Sequence, residues 1–203
     1  MVEPIRIVIA EDQGMLLGAL SALLELESDI RVVAKGHNGD EALQLVEQHQ
    51  PDILLTDIEM PGKTGLDVAQ VLFTQKSATK VIVLTTFARS GYLQRAMAFG
   101  VKGYLLKDAP SEELVKAIRK VMMGGKVVDP ELISVAWDSP NPLTDKERTA
   151  LKLVADGLPT KQVAQQLFLS EGTVRNYLSE AIAKLDASNR VDAARIARQK
   201  GWL

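Results

Sequence analysis

Hydrophobic positions in the first 125 residues come in short dense runs separated by stretches of helical periodicity. The runs are Ile5–Ala10, Ile30–Gly36, Asp52–Asp57, Lys80–Thr86 and Gly103–Lys107. Four are apolar almost throughout, the mark of parallel strands covered on both faces. Helical segments are expected over about 14–26, 39–48, 65–76, 90–99 and 111–123. This alternation predicts an α/β fold with a five-stranded, doubly wound parallel sheet of the flavodoxin-like kind, with right-handed crossovers. Gly and Pro punctuate 124–142 at both ends, which reads as a linker with a short helix near 131–136. From Leu143 the pattern is wholly helical, with helices expected over about 145–155, 160–167, 171–185 and 190–199. Thr144 and Glu147 have capping-box spacing, Ser170 is placed to cap the third helix, and Gly157 closes the first. The expected organisation is one α/β domain over 1–125, a linker over 126–140 and an all-α four-helix domain over 141–203.

Composition narrows the field. The 203 residues contain no cysteine, which excludes a disulfide framework, a thiolate metal site and a catalytic thiol. No apolar stretch approaches the roughly 20 residues of a membrane helix, and the N-terminus does not resemble a signal peptide. A cytoplasmic protein without a membrane partner is expected. The charge is uneven: from Asn141 onward ten Lys/Arg face seven Asp/Glu, whereas the first 140 residues hold 14 against 19. A mildly basic end on an acidic body suggests an anionic partner for the C-terminal part.

In a doubly wound sheet the site lies outside the carboxyl ends of the strands. Glu11 and Asp12 follow the first strand, Asp57 ends the third, Thr85 ends the fourth and Lys107 ends the fifth. Crowded carboxylates repel one another, and a hard divalent cation relieves them. Asp12 and Asp57 are expected to ligate Mg²⁺, with the backbone carbonyl of Glu59 as a third ligand and Glu11 acting through water. Lys107 brings an ammonium from the other side, and the Thr85 hydroxyl can meet an arriving oxygen. A carboxylate nucleophile, a metal and an ammonium together suit a phosphoryl group. Pro61 and Gly62 turn the chain away, so that Asp57 faces an open mouth.

The segments "AEDQGMLL", "DIEMPGKTG", "VLTTF" and "GYLLKDAP" resemble the receiver domain of bacterial response regulators over roughly residues 5–123. That resemblance implies that Asp57 accepts a phosphoryl group from a sensor histidine kinase and that Glu11 and Asp12 form the acidic pair. It implies further that Thr85 and Tyr104 form a switch pair and that Lys107 contacts the phosphate. The acidic pair is Glu-Asp rather than Asp-Asp, which leaves the metal role of Asp12 intact.

In the C-terminal part, "TKQVAQQLFLSEGTVRNYLSEAIAKL" reads as two helices joined by a tight turn. Val163, Ala164 and Leu167 form one apolar face, and Val174, Leu178, Ile182 and Leu185 the next. Such a pair can place its second helix in the major groove of DNA. Arg175, Asn176 and Ser179 lie opposite the apolar stripe, where Arg can read guanine and Asn adenine. Thr173, Tyr177, Lys184 and Arg190 suit phosphates, as do helix-start donors near Thr160 and Lys161. The run from "LTDKE" through "TVRNYLSEAIAKL" to "NRVDAA" resembles the LuxR-type DNA-binding domain of the NarL/FixJ response regulators. Many relatives carry His where this chain has Tyr177. The combined motifs are most similar to the DesR-like regulators of membrane lipid genes.

Helix one carries more apolar positions than a single core face requires. Leu16, Leu20 and Leu23 are expected toward the sheet, with Met15, Ala19, Ala22 and Leu26 on an adjoining stripe. Helix five shows Leu114, Ile118 and Val121 inward, with Val115 and Met122 offset. The surplus positions suggest a two-fold homodimer formed on phosphorylation, which fits double-stranded DNA with paired half-sites. Three alternative readings fit the sequence less well. An aspartyl-nucleophile phosphatase usually carries a second Asp two residues on, where this chain has Glu59, and leaves the basic tail without a role; no turnover of an external substrate is expected. A degenerate receiver is disfavoured by Asp12, Asp57, Thr85 and Lys107 all being present. A protein-sequestering receiver is disfavoured by the complete helix-turn-helix frame.

Overall fold

Residues 3–86, 89–133 and 141–203 are described by the computed structural model of the chain. They form two compact units, one made of residues 3–86 and 93–133, the other of 89–92 and 141–203. In the first unit the strands are β1 (Ile5–Ala10), β2 (Ile30–Gly36), β3 (Ile53–Asp57), β4 (Lys80–Thr85), β5 (Gly103–Leu106) and β6 (Val127–Val128). They lie in one sheet in the order β2-β1-β3-β4-β5-β6, every pair parallel. The helices between them are α1 (Gly14–Glu25), α2 (Gly39–His49), α3 (Gly65–Thr74) and α4 (Ser90–Ala98), and α5 (Ser111–Met122) follows β5.

The order reverses direction between β1 and β3. The residues that follow these two strands therefore meet in one crevice at the carboxyl edge of the sheet. Side chains alternate along each strand, and both sets are buried. Ile7, Ile9, Ile53, Leu55, Ile82, Leu84 and Leu105 share a core with α1 and α5. Val8, Leu54, Val83 and Tyr104 are inaccessible on the alternate positions. A sheet covered on both sides leaves no room for alternating polar residues, which is why its strands read as continuous apolar runs.

The structure adds a sixth strand to the five expected. Val127 and Val128, inside the segment read as linker, pair with Gly103 and Tyr104 of β5. A two-residue strand is too short to show periodicity, and the flanking glycines mask it further. Helical residues follow from Pro130 to Ile133; the rest of the helix expected near 131–136 lies outside the described residues.

The buried faces of α1 and α5 also differ from those expected. Leu17, Ser21 and Leu24 are the buried positions of α1, with Leu20 and Leu23 packed at the margin. The expected inward stripe of Leu16, Leu20 and Leu23 is thus rotated by about one residue, because Ser21, polar in type, sits in the core. Met15 (91% exposed), Ala19, Ala22 and Leu26 (85%) do face solvent. On α5, Val115 is buried in the core beside Leu114, so it cannot belong to an exposed dimer stripe. Met122 packs partly against the same core, and the exposed methionine is Met123, just past the helix.

The second unit contains α6 (Asp145–Ala155), α7 (Thr160–Gln166), α8 (Glu171–Lys184) and α9 (Arg190–Gln199). Their core joins Leu151, Val163, Ala164, Val174, Leu178, Ala181, Ala193 and Ala197. The caps are those expected. Thr144 and Glu147 form a reciprocal capping box, the Ser170 side chain accepts from Thr173 N–H, and Gly157 takes a left-handed φ of 93°. Among the described residues, no helix is long and apolar enough to cross a membrane.

Candidate functional site

Asp57 ends β3, and Glu11 and Asp12 immediately follow β1. One carboxylate oxygen from each lies within 4.8 Å of the others. Glu11 and Asp57 are buried, whereas Asp12 stands exposed at the mouth. Lys107, one residue past β5, reaches in with its Nζ 2.7 Å from Glu11 and 3.0 Å from Asp57. Its own N–H donates to the Thr85 carbonyl at 2.9 Å, which ties the ends of β4 and β5 together.

Local structure holds Asp57 firmly. One of its carboxylate oxygens accepts the Ile58 N–H at 2.6 Å. The Thr56 hydroxyl donates to the Asp57 carbonyl at 2.9 Å. Beyond the turn, Gly65 N–H donates to the Ile58 carbonyl at 3.0 Å, which brings the start of α3 against the end of β3. The approach is so close that a Cβ on Gly65 would lie 1.9 Å from the Asp57 carbonyl oxygen. Gly39, at the start of α2, packs equally closely on the Lys63 backbone, and Lys63 forms an ion pair with Asp40. Two glycine contacts therefore clamp the loop that leaves Asp57. "MPGKTG" signals a turn in sequence; these contacts show how tightly it is packed.

Burial pushes the Asp57 carboxyl above the usual range; Lys107 offsets part of this and Asp12 adds to it. Glu11 is raised for the same first reason, desolvation, again partly offset by Lys107. Burial alone would lower the Lys107 ammonium, but Glu11 and Asp57 together outweigh it and raise its pKa. One ammonium thus pairs with two members, Glu11 and Asp57, of a three-carboxylate cluster. An all-oxygen donor set of surplus negative charge, with one member open to water, fits a hard divalent cation such as Mg²⁺. Glu11, expected to reach a metal through water, also pairs directly with Lys107. Glu59 lies exposed in the turn two residues beyond Asp57.

The switch candidates are Thr85, buried at the end of β4, and Tyr104, fully buried on β5 between Val83 and Val128. Tyr104 already occupies an interior position, so an inward swing from solvent is not its motion in this conformation.

In the second unit, α7 and α8 are joined by a turn whose Phe168 is 95% exposed with a left-handed φ of 56°. Arg175, Asn176 and Ser179 are exposed on α8, opposite the buried Val174, Leu178 and Ala181. Arg175 is steadied by an ion pair with Glu171 at 3.0 Å. Lys161 and Arg190 are exposed at helix starts, while Thr160 and Thr173 are half-buried. Tyr177 packs partly against the core. Lys184 has a different partner from the one expected. Its ammonium lies 2.8 Å from both oxygens of the buried Glu147, tying α8 to α6. In sequence Lys184 reads as a phosphate contact, and no local pattern reveals a carboxylate 37 positions away.

A model of the response regulator receiver domain matches residues 7–119, and one of the bacterial regulatory proteins of the luxR family matches 141–197. The chain is a response regulator of the LuxR family. It is 54% identical over 198 residues to the transcriptional regulatory protein DesR of Bacillus subtilis (strain 168), with 98% of each chain covered. It is 32% identical over 203 residues to the nitrate/nitrite response regulator protein NarL of Escherichia coli (strain K12), covering 95% of this chain and 94% of the relative. Among solved structures, the response regulator ChrA of a heme-sensing two-component system superposes with a TM-score of 0.60 at 30% identity, covering 100% of both chains. This response regulator therefore combines a receiver domain with a LuxR-type DNA-binding domain, and its relatives are transcriptional regulators.

Proposed function

We propose that this response regulator takes a phosphoryl group from a sensor histidine kinase onto Asp57, in the cytoplasm, and thereby pairs with a second copy to bind DNA. The domain limits proposed are a receiver over 1–125, extended by β6, and a DNA-binding domain over 141–203. The observation that carries the reading is the meeting of Asp57 with Lys107 at 3.0 Å inside a three-carboxylate cluster. A carboxylate oxygen of Asp57 forms the new P–O bond as the P–N bond to the donor histidine breaks. Lys107 then faces the phosphoryl oxygens, and the Thr85 hydroxyl meets one of them. Asp12, Asp57 and the Glu59 carbonyl would hold Mg²⁺, which when bound neutralises charge on the transferring group. No external substrate is turned over.

The exposed stripe of Met15, Ala19, Ala22 and Leu26 on α1 is the proposed receiver dimer surface. It borders an apolar cavity of about 180 Å³ between α1 and the start of α5, lined by Leu16, Leu20, Leu23, Pro110 and Leu114. Val115 is withdrawn from that surface and Met123 is added at its margin. On DNA, Arg175, Asn176 and Ser179 are proposed to read bases in each of two half-sites. Thr160, Lys161, Thr173, Tyr177 and Arg190 are proposed for the backbone.

The deciding experiment is Mg²⁺-dependent phosphorylation by a small-molecule phosphodonor, read by intact mass with Asp57→Ala as control. One phosphoryl group on the wild type and none on the variant is the expected result. No phosphoryl on the wild type with Mg²⁺ present overturns the proposal.

A further inference from the structure

At the edge of the first unit away from Asp57, the ends of α3 and α4 frame a groove of about 380 Å³. Leu72, Phe73 and Phe99 form its apolar part, and Lys76, Lys80 and Lys102 stand around it. The described lining residues include these three lysines and no carboxylate. That is unexpected in a segment whose first 140 residues carry 14 basic and 19 acidic side chains.

The groove is shaped by two helix ends. Lys76 takes a left-handed φ of 53° after α3, with Ser77 N–H donating to the Leu72 carbonyl at 2.9 Å. Gly100 takes φ 72° after α4, and a Cβ there would lie 3.1 Å from the Phe73 ring. The bare glycine lets the ring settle against the backbone while 57% of Phe73 stays exposed. Complementing a helix C-terminus accounts for Lys76. It accounts neither for an aromatic ring held open to water nor for Lys80 and Lys102, which lie at and just before the starts of strands.

We propose that this groove docks an acidic peptide segment of a partner protein carrying one apolar anchor side chain. The anchor would lie against Phe73 and Phe99, and flanking Asp or Glu side chains would meet the three lysines. An apolar floor with a cationic rim is the arrangement of a small peptide interface, in which a buried anchor supplies affinity and the rim supplies selection. A nucleic acid would use the lysines but leave the apolar floor to a single base.

The chain has no cysteine, so Ser77→Cys provides a unique thiol on the groove's own lining for a small environment-sensitive fluorophore. The full-length labelled protein is titrated with a synthetic dodecapeptide of Glu and Asp around a central Phe. The same peptide with central Ser, and a single-stranded oligonucleotide, are run in parallel. Saturable binding of the Phe peptide is expected, weakened roughly tenfold or more, about 1.4 kcal/mol, by the Ser replacement. A similar loss is expected on the protein side from Phe73→Ser and from Lys76→Glu with Lys102→Glu, with unchanged melting and unchanged Asp57 phosphorylation. Equal response to the Phe and Ser peptides, indifference to these variants, or tighter binding of the oligonucleotide that is itself lost in the Lys76→Glu with Lys102→Glu variant overturns the proposal.

Discussion

The ammonium of Lys107 lies 3.0 Å from a carboxylate oxygen of Asp57, with both side chains almost wholly removed from solvent. Removing Lys107 leaves both Asp57 and Glu11 buried without their counter-charge. Lys107→Ala is expected to slow phosphoryl transfer from a small phosphodonor by roughly 10²-fold or more, the usual scale for losing a preorganised charge at a reacting group. A time course by intact mass reads this directly; a rate within about threefold of wild type would remove Lys107 from the proposed chemistry.

The raised pKa of Asp57 makes a stability prediction with a definite sign. A carboxyl raised on folding stabilises the fold below its ordinary value, 3.8 here, and that contribution is lost as pH rises through the raised value. At neutral pH the ionised group is therefore a burden. Asp57→Asn is expected to raise the melting temperature near pH 7 and to lose that advantage on acidification toward pH 4. By the same charge logic, Mg²⁺ should stabilise the wild type and have little effect on the variant. Melting curves with and without Mg²⁺ at both pH values check this.

Gly65 touches the Asp57 carbonyl so closely that no side chain fits without moving backbone. Gly65→Ala is expected to cost about 1–3 kcal/mol by overpacking and to impair phosphorylation of the folded fraction. Denaturant melts read the first effect and phosphorylation yield at matched folded concentration reads the second.

Met15 and Leu26, exposed on one stripe of α1, test the dimer. Met15→Asp combined with Leu26→Asp is expected to abolish the phosphorylation-dependent increase in size while leaving phosphorylation itself intact. Light scattering on phosphorylated samples decides it, and an unchanged phospho-dimer would rule the α1 surface out.

In the DNA-binding unit, Glu147 and Arg175 should separate cleanly. Burial alone would raise the Glu147 carboxyl, but hydrogen bonds from Lys184 and Thr144 together outweigh it and lower its pKa. Its stability contribution is therefore present above its ordinary value of 4.5 and lost as pH falls through the lowered one. Glu147→Gln is expected to cost about 2 kcal/mol at pH 7, the scale of charged hydrogen bonds. Arg175→Ala should leave melting within about 0.5 kcal/mol but relax preference at one base position by about 1–3 kcal/mol. Competition binding with single-base variants of the site, at fixed salt, checks the latter.

Much of this was legible in sequence because strands buried on both faces cannot hide. The bounds expected for β1 and β2 coincide with those observed, Asp57 ends β3 as expected, and Lys107 stands one residue past β5. Helix caps were equally visible, since Thr144 with Glu147 and Ser170 with Thr173 act within one turn. What escaped was decided by distant partners. Ser21 turns inward although its type argues for the surface, which rotates the face of α1. Val115 is swallowed by a core wider than one heptad stripe, and Lys184 is claimed by Glu147. Val127 and Val128 become a strand only because β5 offers them an unfilled edge.

That edge has a practical bearing on how the molecule can be cut. Val127 N–H donates to the Lys102 carbonyl and Asp129 N–H to the Tyr104 carbonyl, each at 2.9 Å. A fragment ending at residue 125 would bare the hydrogen-bonding flank of β5, the strand that carries Tyr104, and invite sticky strand-to-strand association between copies. A fragment carried through Ile133 keeps the flank sheathed, so self-association measured on the shorter piece would report the scissors rather than the signal.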